Sequence, residues 1–295
     1  MTHPHPFQGK ILSSRSCELG EGPTYDPHTD TAWWFNILGR ELHELNVATG
    51  ELKVHDLPFL ASVLARIDAD RQLLATDQGL FIRNTADGSF EPYVKLEADK
   101  PGNRSNDGRV HPSGSLWIGT MGRKAEDGAG SIYHVTKGKV TRLFGGISIP
   151  NSICFSPDGG IGYYVDTRVN RIMRVSLDAT TGLPTGEASV FIDNSGQPGG
   201  SDGSVCDAEG NVWNARWGAS AVDCYSPEGK HLARYNLPTK RTSCPAFFGK
   251  NADRLFVTTA WEGADEAERA ADPQCGFTFD LGISVKGRFE PAYLL

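Results

Sequence analysis

A unit of about 45 residues recurs six times along this chain, and that period restricts the possible folds more than any other feature of the sequence. Each unit opens with a short strand-like run, then a turn of the D-P-x-x or D-x-x-G kind, then a second apolar or aromatic strand. Examples are G-P-T-Y-D-P-H-T-D-T-A-W-W-F, N-D-G-R-V-H-P-S-G-S-L-W-I-G-T and D-G-S-V-C-D-A-E-G-N-V-W-N-A-R. The opening turn residues are Asp26, Asp68, His111, Ser156, Asp207 and Gly249, separated by 42, 43, 45, 51 and 42 residues. A further strand pair follows in each unit, such as E-L-H-E-L-N-V, the turn A-T-G, and E-L-K-V-H. Alternation of period two around glycine-bearing turns is the hairpin signature. Four short strands per unit, repeated in phase, predict an all-β, six-bladed β-propeller with four antiparallel strands per blade, formed as one domain over residues 1–295. The clearest helix-like stretch is G-A-D-E-A-E-R-A-A-D-P, residues 263–273, an acidic and solvated run stopped by Pro273.

Composition removes several function classes. A net charge of −7 repels polyanions, so neither nucleic acid nor an anionic membrane is an expected partner. With 39% hydrophobic residues the chain can bury a core, yet it holds no run of about 18 apolar residues and no signal-peptide layout at its start. The expected compartment is the cytoplasm. Six scattered cysteines without a C-x-x-C pair read as reduced and structural rather than as a thiolate metal site.

The repeat phase also picks out a set of positions. Five residues before each opening turn stand Glu21, Val63, Asn106, Asn151, Asp202 and Cys244. In rotationally repeated blades, equivalent positions share height and radius, so these six should ring one mouth of the channel. Four of them carry oxygen side chains. Gathering two carboxylates and two carboxamides about an axis is costly unless a cation compensates them. Oxygen donors without a histidine or thiolate motif favour a hard divalent ion: calcium, magnesium or manganese, with zinc also able to accept carboxylate oxygen. Val63 contributes wall, and Cys244 in S-C-P reads as packing.

Several runs, in order over nearly the whole chain, carry a family likeness: L-G-E-G-P (19–23), N-R-S-N-D-G-R-V-H-P-S-G-S-L-W-I-G-T-M (103–121), I-P-N-S-I-C-F-S-P-D-G (149–159), S-D-G-S-V-C-D-A-E-G-N-V-W (201–213) and T-S-C-P-A-F-F-G (242–249). They resemble the regucalcin / senescence marker protein / gluconolactonase family, six-bladed propellers that include metal-dependent sugar lactonases and calcium-binding proteins. The resemblance implies metal ligation by Glu21, Asn151 and Asp202, substrate contact by Arg104 and Asn106, and Asp202 as catalytic base. Two departures stand out. Family members usually read P-D-G where this chain has S-D-G, and after G-T-M regucalcin continues with acidic residues where this chain has Gly122, Arg123 and Lys124. That basic pair at the rim would suit an acidic sugar lactone.

The expected activity is therefore metal-dependent opening of a sugar lactone to the aldonic acid, with one divalent ion, calcium foremost, as Lewis acid and Asp202 as general base. Two alternatives stay open: a calcium-binding regulatory propeller without turnover, and a related metal-dependent esterase or phosphotriesterase. A serine hydrolase has no support, since there is no G-x-S-x-G and neither His111 nor His134 has an evident acid and nucleophile partner. His3 and His5, near the start of the chain, are not expected to ligate. The sequence leaves the oligomeric state open.

Overall fold

The computed structural model describes residues 4–295. After β1 (Lys10–Ser13) the chain lays down five successive four-stranded meanders. These are β2 (Gly20–Asp26), β3 (Thr31–Asn36), β4 (Glu41–Asn46) and β5 (Leu52–Asp56); then β6 (Ala61–Arg66), β7 (Arg71–Thr76), β8 (Gly79–Asn84) and β9 (Phe90–Val94). Next come β10 (Asn103–Val110), β11 (Leu116–Gly122), β12 (Gly130–Thr136) and β13 (Lys139–Ile147); then β14 (Pro150–Phe155), β15 (Ile161–Asp166), β16 (Arg171–Ser176) and β17 (Ser189–Asp193). The fifth is β18 (Gly200–Cys206), β19 (Val212–Trp217), β20 (Ala221–Tyr225) and β21 (His231–Asn236). The chain ends its strands with β22 (Thr242–Phe248), β23 (Arg254–Thr259), the helix α1 (Glu266–Ala271) and β24 (Thr278–Asp280). All pairings within the sheets are antiparallel, and the fold is the six-bladed β-propeller that the repeat predicts.

The sixth sheet departs from the simple repeat. Its order is β1-β24-β23-β22, so the sixth repeat supplies three strands and the start of the chain supplies the outermost one. Without β1, the three-residue β24 would present an unpaired edge. Helix α1 interrupts the β23–β24 connection and is shorter than the helix-like stretch of sequence. Asp265 caps it by accepting from the Glu268 backbone N–H at 2.8 Å, and it buries no residue, as expected for a solvated acidic run. Among the described residues no helix is long and apolar enough to cross a membrane.

The chain forms two compact units, one built from the residues up to Leu57 with Gly196–Phe289, the other from Pro58–Ser195 with Glu290–Leu295. Each contains three of the six sheets. Within each unit, apolar side chains of adjacent sheets interlock. In the second unit Leu73, Leu116, Ile118 and Val135 pack with Tyr293 from the end of the chain, none more than 1% exposed. In the first, Val222, Leu255, Val257 and Phe279 do the same. Each such side chain contributes about 1.5–3 kcal/mol by leaving water. The innermost strands β10, β14 and β22 are buried along their whole length, whereas the outer strands β5, β9 and β17 are largely open to solvent. All six cysteines are buried and none is joined in a disulfide, as expected for reduced, structural residues.

Glu41 on β4 anchors a polar cluster in the first blade. Its Oε1 accepts from Arg15 at 2.6 Å, and its Oε2 accepts from Asn36 Nδ2 at 2.8 Å and lies 3.1 Å from His43 Nε2. Burial raises the carboxyl pKa, but these hydrogen bonds outweigh it and hold the group at about 2. Because the folded value lies below the unfolded one, the contribution to stability is complete above the ordinary 4.5 and is lost as pH falls toward about 2. Melting temperatures recorded between pH 2 and 5 should therefore fall less steeply for Glu41→Gln than for the wild-type protein; parallel curves would contradict this assignment.

Candidate functional site

All six innermost strands share one irregularity. The ladder to the second strand slips by one residue between Glu21 and Thr24, Ala61 and Val63, Ser105 and Gly108, Asn151 and Cys154, Ser201 and Ser204, and Thr242 and Cys244. Every position singled out by the repeat phase lies at or inside one of these bulges. A bulge breaks the alternation of a strand and re-aims its side chains, which is one reason bulges occur beside functional sites. After Glu21 and Asn151 the backbone turns left-handed, with φ +56° at both Gly22 and Ser152. Ser152, fully buried, holds this conformation without the freedom of a glycine, at a cost of roughly 1–2 kcal/mol.

In the first unit these bulges carry Glu21 and Asp202, each 6% exposed. Glu21 Oε2 accepts from the Gly22 backbone N–H at 2.7 Å. Asn214 on β19 donates to the Asp202 carbonyl at 3.1 Å and to Ser204 Oγ at 3.0 Å, tying the backbone before Gly203 and the side chain after it to the second strand. Gly203 is required by space, since a Cβ there would lie 2.3 Å from Cys244 Sγ. The ring cysteine packs against this glycine, as its apolar setting suggested. Ser243 Oγ donates to the Gly20 carbonyl at 2.5 Å.

In the second unit, three of the expected site residues form one hydrogen-bonded chain. Arg104 Nη1 donates to Asn106 Oδ1 at 2.7 Å, and Asn106 Nδ2 donates to Asn151 Oδ1 at 3.0 Å and to the Pro150 carbonyl at 3.0 Å. Asn151 Nδ2 donates in turn to Thr167 Oγ1 at 2.9 Å. This polarity leaves Asn151 presenting its carbonyl oxygen on the side of Asn106. Asn106 gives its own oxygen to Arg104, so it acts as a relay between the guanidinium and Asn151. Val63, 5% exposed, lies in the apolar cluster of this unit.

Arg123 is not a free rim cation. Its Nη2 lies 2.5 Å from Asp77 Oδ2, so its charge is committed, and the expected basic pair is reduced to the exposed Lys124. A depression beside this pair is lined by Asp77, Glu97, Lys100, Asn103, Arg104 and Thr120. His111 and His134 are held by backbone carbonyls: His111 Nε2 lies 2.9 Å from that of Gly159, and His134 Nε2 lies 2.8 Å from that of Thr181. His5 stacks on Tyr235 at 4.8 Å, and His3 lies outside the described residues.

Asp107 is a residue that sequence reasoning passed over, although it stands in the quoted N-D-G run. It is 3% exposed; Oδ1 accepts from Gly108 N at 2.8 Å, and Oδ2 accepts from the Ile153 N–H of the neighbouring blade at 2.7 Å. Arg109 donates to the Ile153 carbonyl at 3.2 Å and pairs with Glu290 at 2.8 Å. Ile153 is thus gripped from both sides, two residues beyond Asn151. Burial pushes the Asp107 carboxyl up to about 6, against the opposing pull of Arg109 and the two backbone donors.

Glu21, Asn151 and Asp202 offer two buried carboxylates and one buried carboxamide, a hard-oxygen donor set chemically suited to a divalent cation. Among the described residues no group of three or more His, Cys, Asp and Glu side chains is gathered for metal binding, a description that a carboxamide-containing set does not meet.

Comparison with known proteins adds three findings. The family described as SMP-30/Gluconolactonase/LRE-like region matches residues 19–261. A Rhizobium meliloti protein named "putative sugar lactone lactonase" is 60% identical over 295 residues, the whole of both chains, and a Haloferax volcanii pentonolactonase is 32% identical over 283 residues, 93% of this chain and 94% of its own. The crystal structure of a calcium-binding protein, regucalcin, from Agrobacterium tumefaciens superposes with a TM-score of 0.99 at 64% identity, covering all of both chains.

The Asp107 geometry makes a prediction about pH. Its folded pKa lies above the ordinary 3.8, so its contribution is most favourable below that value and is lost as pH rises through about 6. In chelator, Asp107→Asn should lower stability by about 1–3 kcal/mol, because one backbone donor loses its acceptor. It should also remove the part of the wild-type decline that falls between pH 4 and 6. An unchanged decline in denaturant titrations across that range would contradict the assignment.

Proposed function

Because the chain belongs to the SMP-30/gluconolactonase/LRE-like family, we propose that it is a sugar lactonase that opens its substrate to the aldonic acid, with one divalent cation held by Glu21, Asn151 and Asp202. The observation that carries this reading is the Arg104–Asn106–Asn151 chain, which couples a guanidinium suited to substrate oxygens to a carboxamide suited to a cation. Calcium is the ion proposed first, on the oxygen donor set and on the similar calcium-binding protein; magnesium, manganese and zinc also accept such donors. When bound, the ion supplies Lewis-acid polarisation of the lactone carbonyl and stabilises the oxyanion that develops there.

The protein's own residues do the rest. A lactone is a cyclic ester, and its hydrolysis adds water at the carbonyl carbon and breaks the bond to the ring oxygen. Asp202 takes a proton from the attacking water as the new C–O bond forms and returns one to the departing ring oxygen, leaving a carboxylic acid and a hydroxyl in one molecule. To combine ligation with proton transfer, Asp202 uses one oxygen for each task. The Asn214 bond to its carbonyl keeps the backbone beneath that carboxylate from rotating. Arg104 and Asn106 orient the substrate, Arg104 through its two-pronged donor geometry. With Arg123 neutralised by Asp77, the rim favours a neutral lactone over an acidic one.

A second reading, a calcium-binding propeller without turnover, draws support from the name of the similar Agrobacterium protein. One experiment separates them: acid release from gluconolactone and from pentonolactones, followed by pH-stat on chelator-treated and cation-restored protein. A lactonase releases acid only when the cation is restored, and Asp202→Asn lowers the rate at least about 100-fold with its chelated melting temperature near wild type. Full activity in chelator would contradict cation dependence, and full activity of Asp202→Asn would contradict the general-base role. Thermal stabilisation by calcium with no acid release from any lactone would establish the binding protein instead.

A further inference from the structure

Arg216 on β19 is a fully buried arginine in the first unit, 0% exposed. Its Nη1 donates to Ser201 Oγ at 3.0 Å, and its Nη2 donates to the carbonyls of Pro198 and Gly199, each at 3.1 Å. Its Nε has no hydrogen-bond partner among the described residues, and its nearest counter-charge, Asp223 Oδ2, is 3.8 Å away. Asp223 is itself engaged by Arg234 through two contacts of 2.7 Å and by His231 at 3.1 Å. Burying a guanidinium under these conditions is expensive, and an apolar side chain would fill a blade at lower cost. Tyr225 and Asp223 lie beside the guanidinium, and the three acceptors that its Nη atoms meet all belong to residues 198–201, the segment that leads into Asp202.

That segment needs holding. It belongs to G-Q-P-G-G-S, in which Gly196 and Gly199 both sit at φ +76°, and glycine-rich chain retains the most backbone freedom to be lost on ordering. Two residues before Arg216 on the same strand, Asn214, also 0% exposed, bonds the Asp202 carbonyl. One face of β19 therefore fixes Asp202 twice, at its own carbonyl and through the residues just before it.

We propose that Arg216 is a positioning residue for Asp202, pinning segment 198–201 so that the carboxylate is held ready for the cation. The inference rests on the reading of Asp202 as a cation ligand. It makes Arg216 a supporting residue of the kind whose loss costs 10–100-fold in metal affinity. It touches neither substrate nor cation. Its effect is transmitted by backbone placement alone.

The test is calcium titration calorimetry on the full-length chelator-treated protein, with the chelator removed, and with kcat and KM for a lactone measured beside it. Arg216→Lys keeps the charge but cannot reach all three acceptors, and should weaken calcium binding roughly tenfold and lower kcat while KM stays within about twofold. Arg234→Lys disturbs the same Asp223 network without touching segment 198–201, and should bind calcium like the wild type. Ser201→Ala removes only the Nη1 contact and should weaken calcium binding a few-fold, which keeps the proposal testable if Arg216→Lys does not fold. The proposal is overturned if Arg216→Lys, or Ser201→Ala where that protein does not fold, binds calcium like the wild type while Asp202→Asn does not. It is also overturned if Arg234→Lys weakens binding as much as Arg216→Lys. If Asp202→Asn itself binds calcium normally, the reading of the site fails and takes this inference with it.

Discussion

The innermost strand of each blade is the edge of its sheet, and yet it is buried. One side of β10 or β14 pairs with its own blade, and the other side has no ladder partner, although every residue of both strands is buried. Unpaired backbone groups in such a place would each carry a penalty comparable to a lost hydrogen bond. Side chains of the neighbouring innermost strand supply the partners. Asp107 accepts from Ile153 N, Asn106 donates to the Pro150 carbonyl, and in the other unit Ser243 donates to the Gly20 carbonyl. The polar character of these strands is therefore a structural necessity before it is a functional one. Asn106, recruited for it, is also one of the residues proposed to contact substrate.

The shared one-residue bulge gives a strand made for pairing a place where it would also present the proposed ligands. A regular strand would turn alternate side chains to opposite faces, and the slip at the same place in all six blades interrupts that alternation. Glu21, Asn106, Asn151 and Asp202 all fall at these points. The left-handed backbone at Ser152, where a glycine would be easier, stores strain directly beside Asn151. Around them the protein invests in rigid support: Asn214 and Arg216 behind Asp202, Thr167 and Asn106 about Asn151. A cation site gains affinity from such preorganisation because its ligands have less freedom to lose.

The repeat phase was readable because closed blades force equivalent residues into equivalent places, and four of its six positions were polar against an apolar background. Glu21, Asn106, Asn151 and Asp202 could be picked out on that ground alone, while Arg104 needed the family resemblance. What stayed hidden depends on contacts between distant parts of the chain. Nothing local in K-I-L-S marks it as the outermost strand of the last blade, where β1 pairs with β24 across most of the sequence. Arg216 in N-A-R-W looks like any charged residue on a half-exposed strand, and only the packed structure shows it fully buried. Arg123 looks free until Asp77, 46 residues earlier, is found beside it. Asp107 lay within a quoted motif, but the acceptor demand it meets comes from Ile153 on another blade.

The proposed function rests on a single divalent cation held by Glu21, Asn151 and Asp202. Anomalous diffraction from crystals of the full-length protein soaked in manganese tests it most directly, because manganese shares calcium's preference for oxygen donors and reveals its own position. The expected result is one dominant anomalous peak within about 2.5 Å of an oxygen from each of the three side chains. A dominant peak bound elsewhere, or one that excludes any of the three, would contradict it.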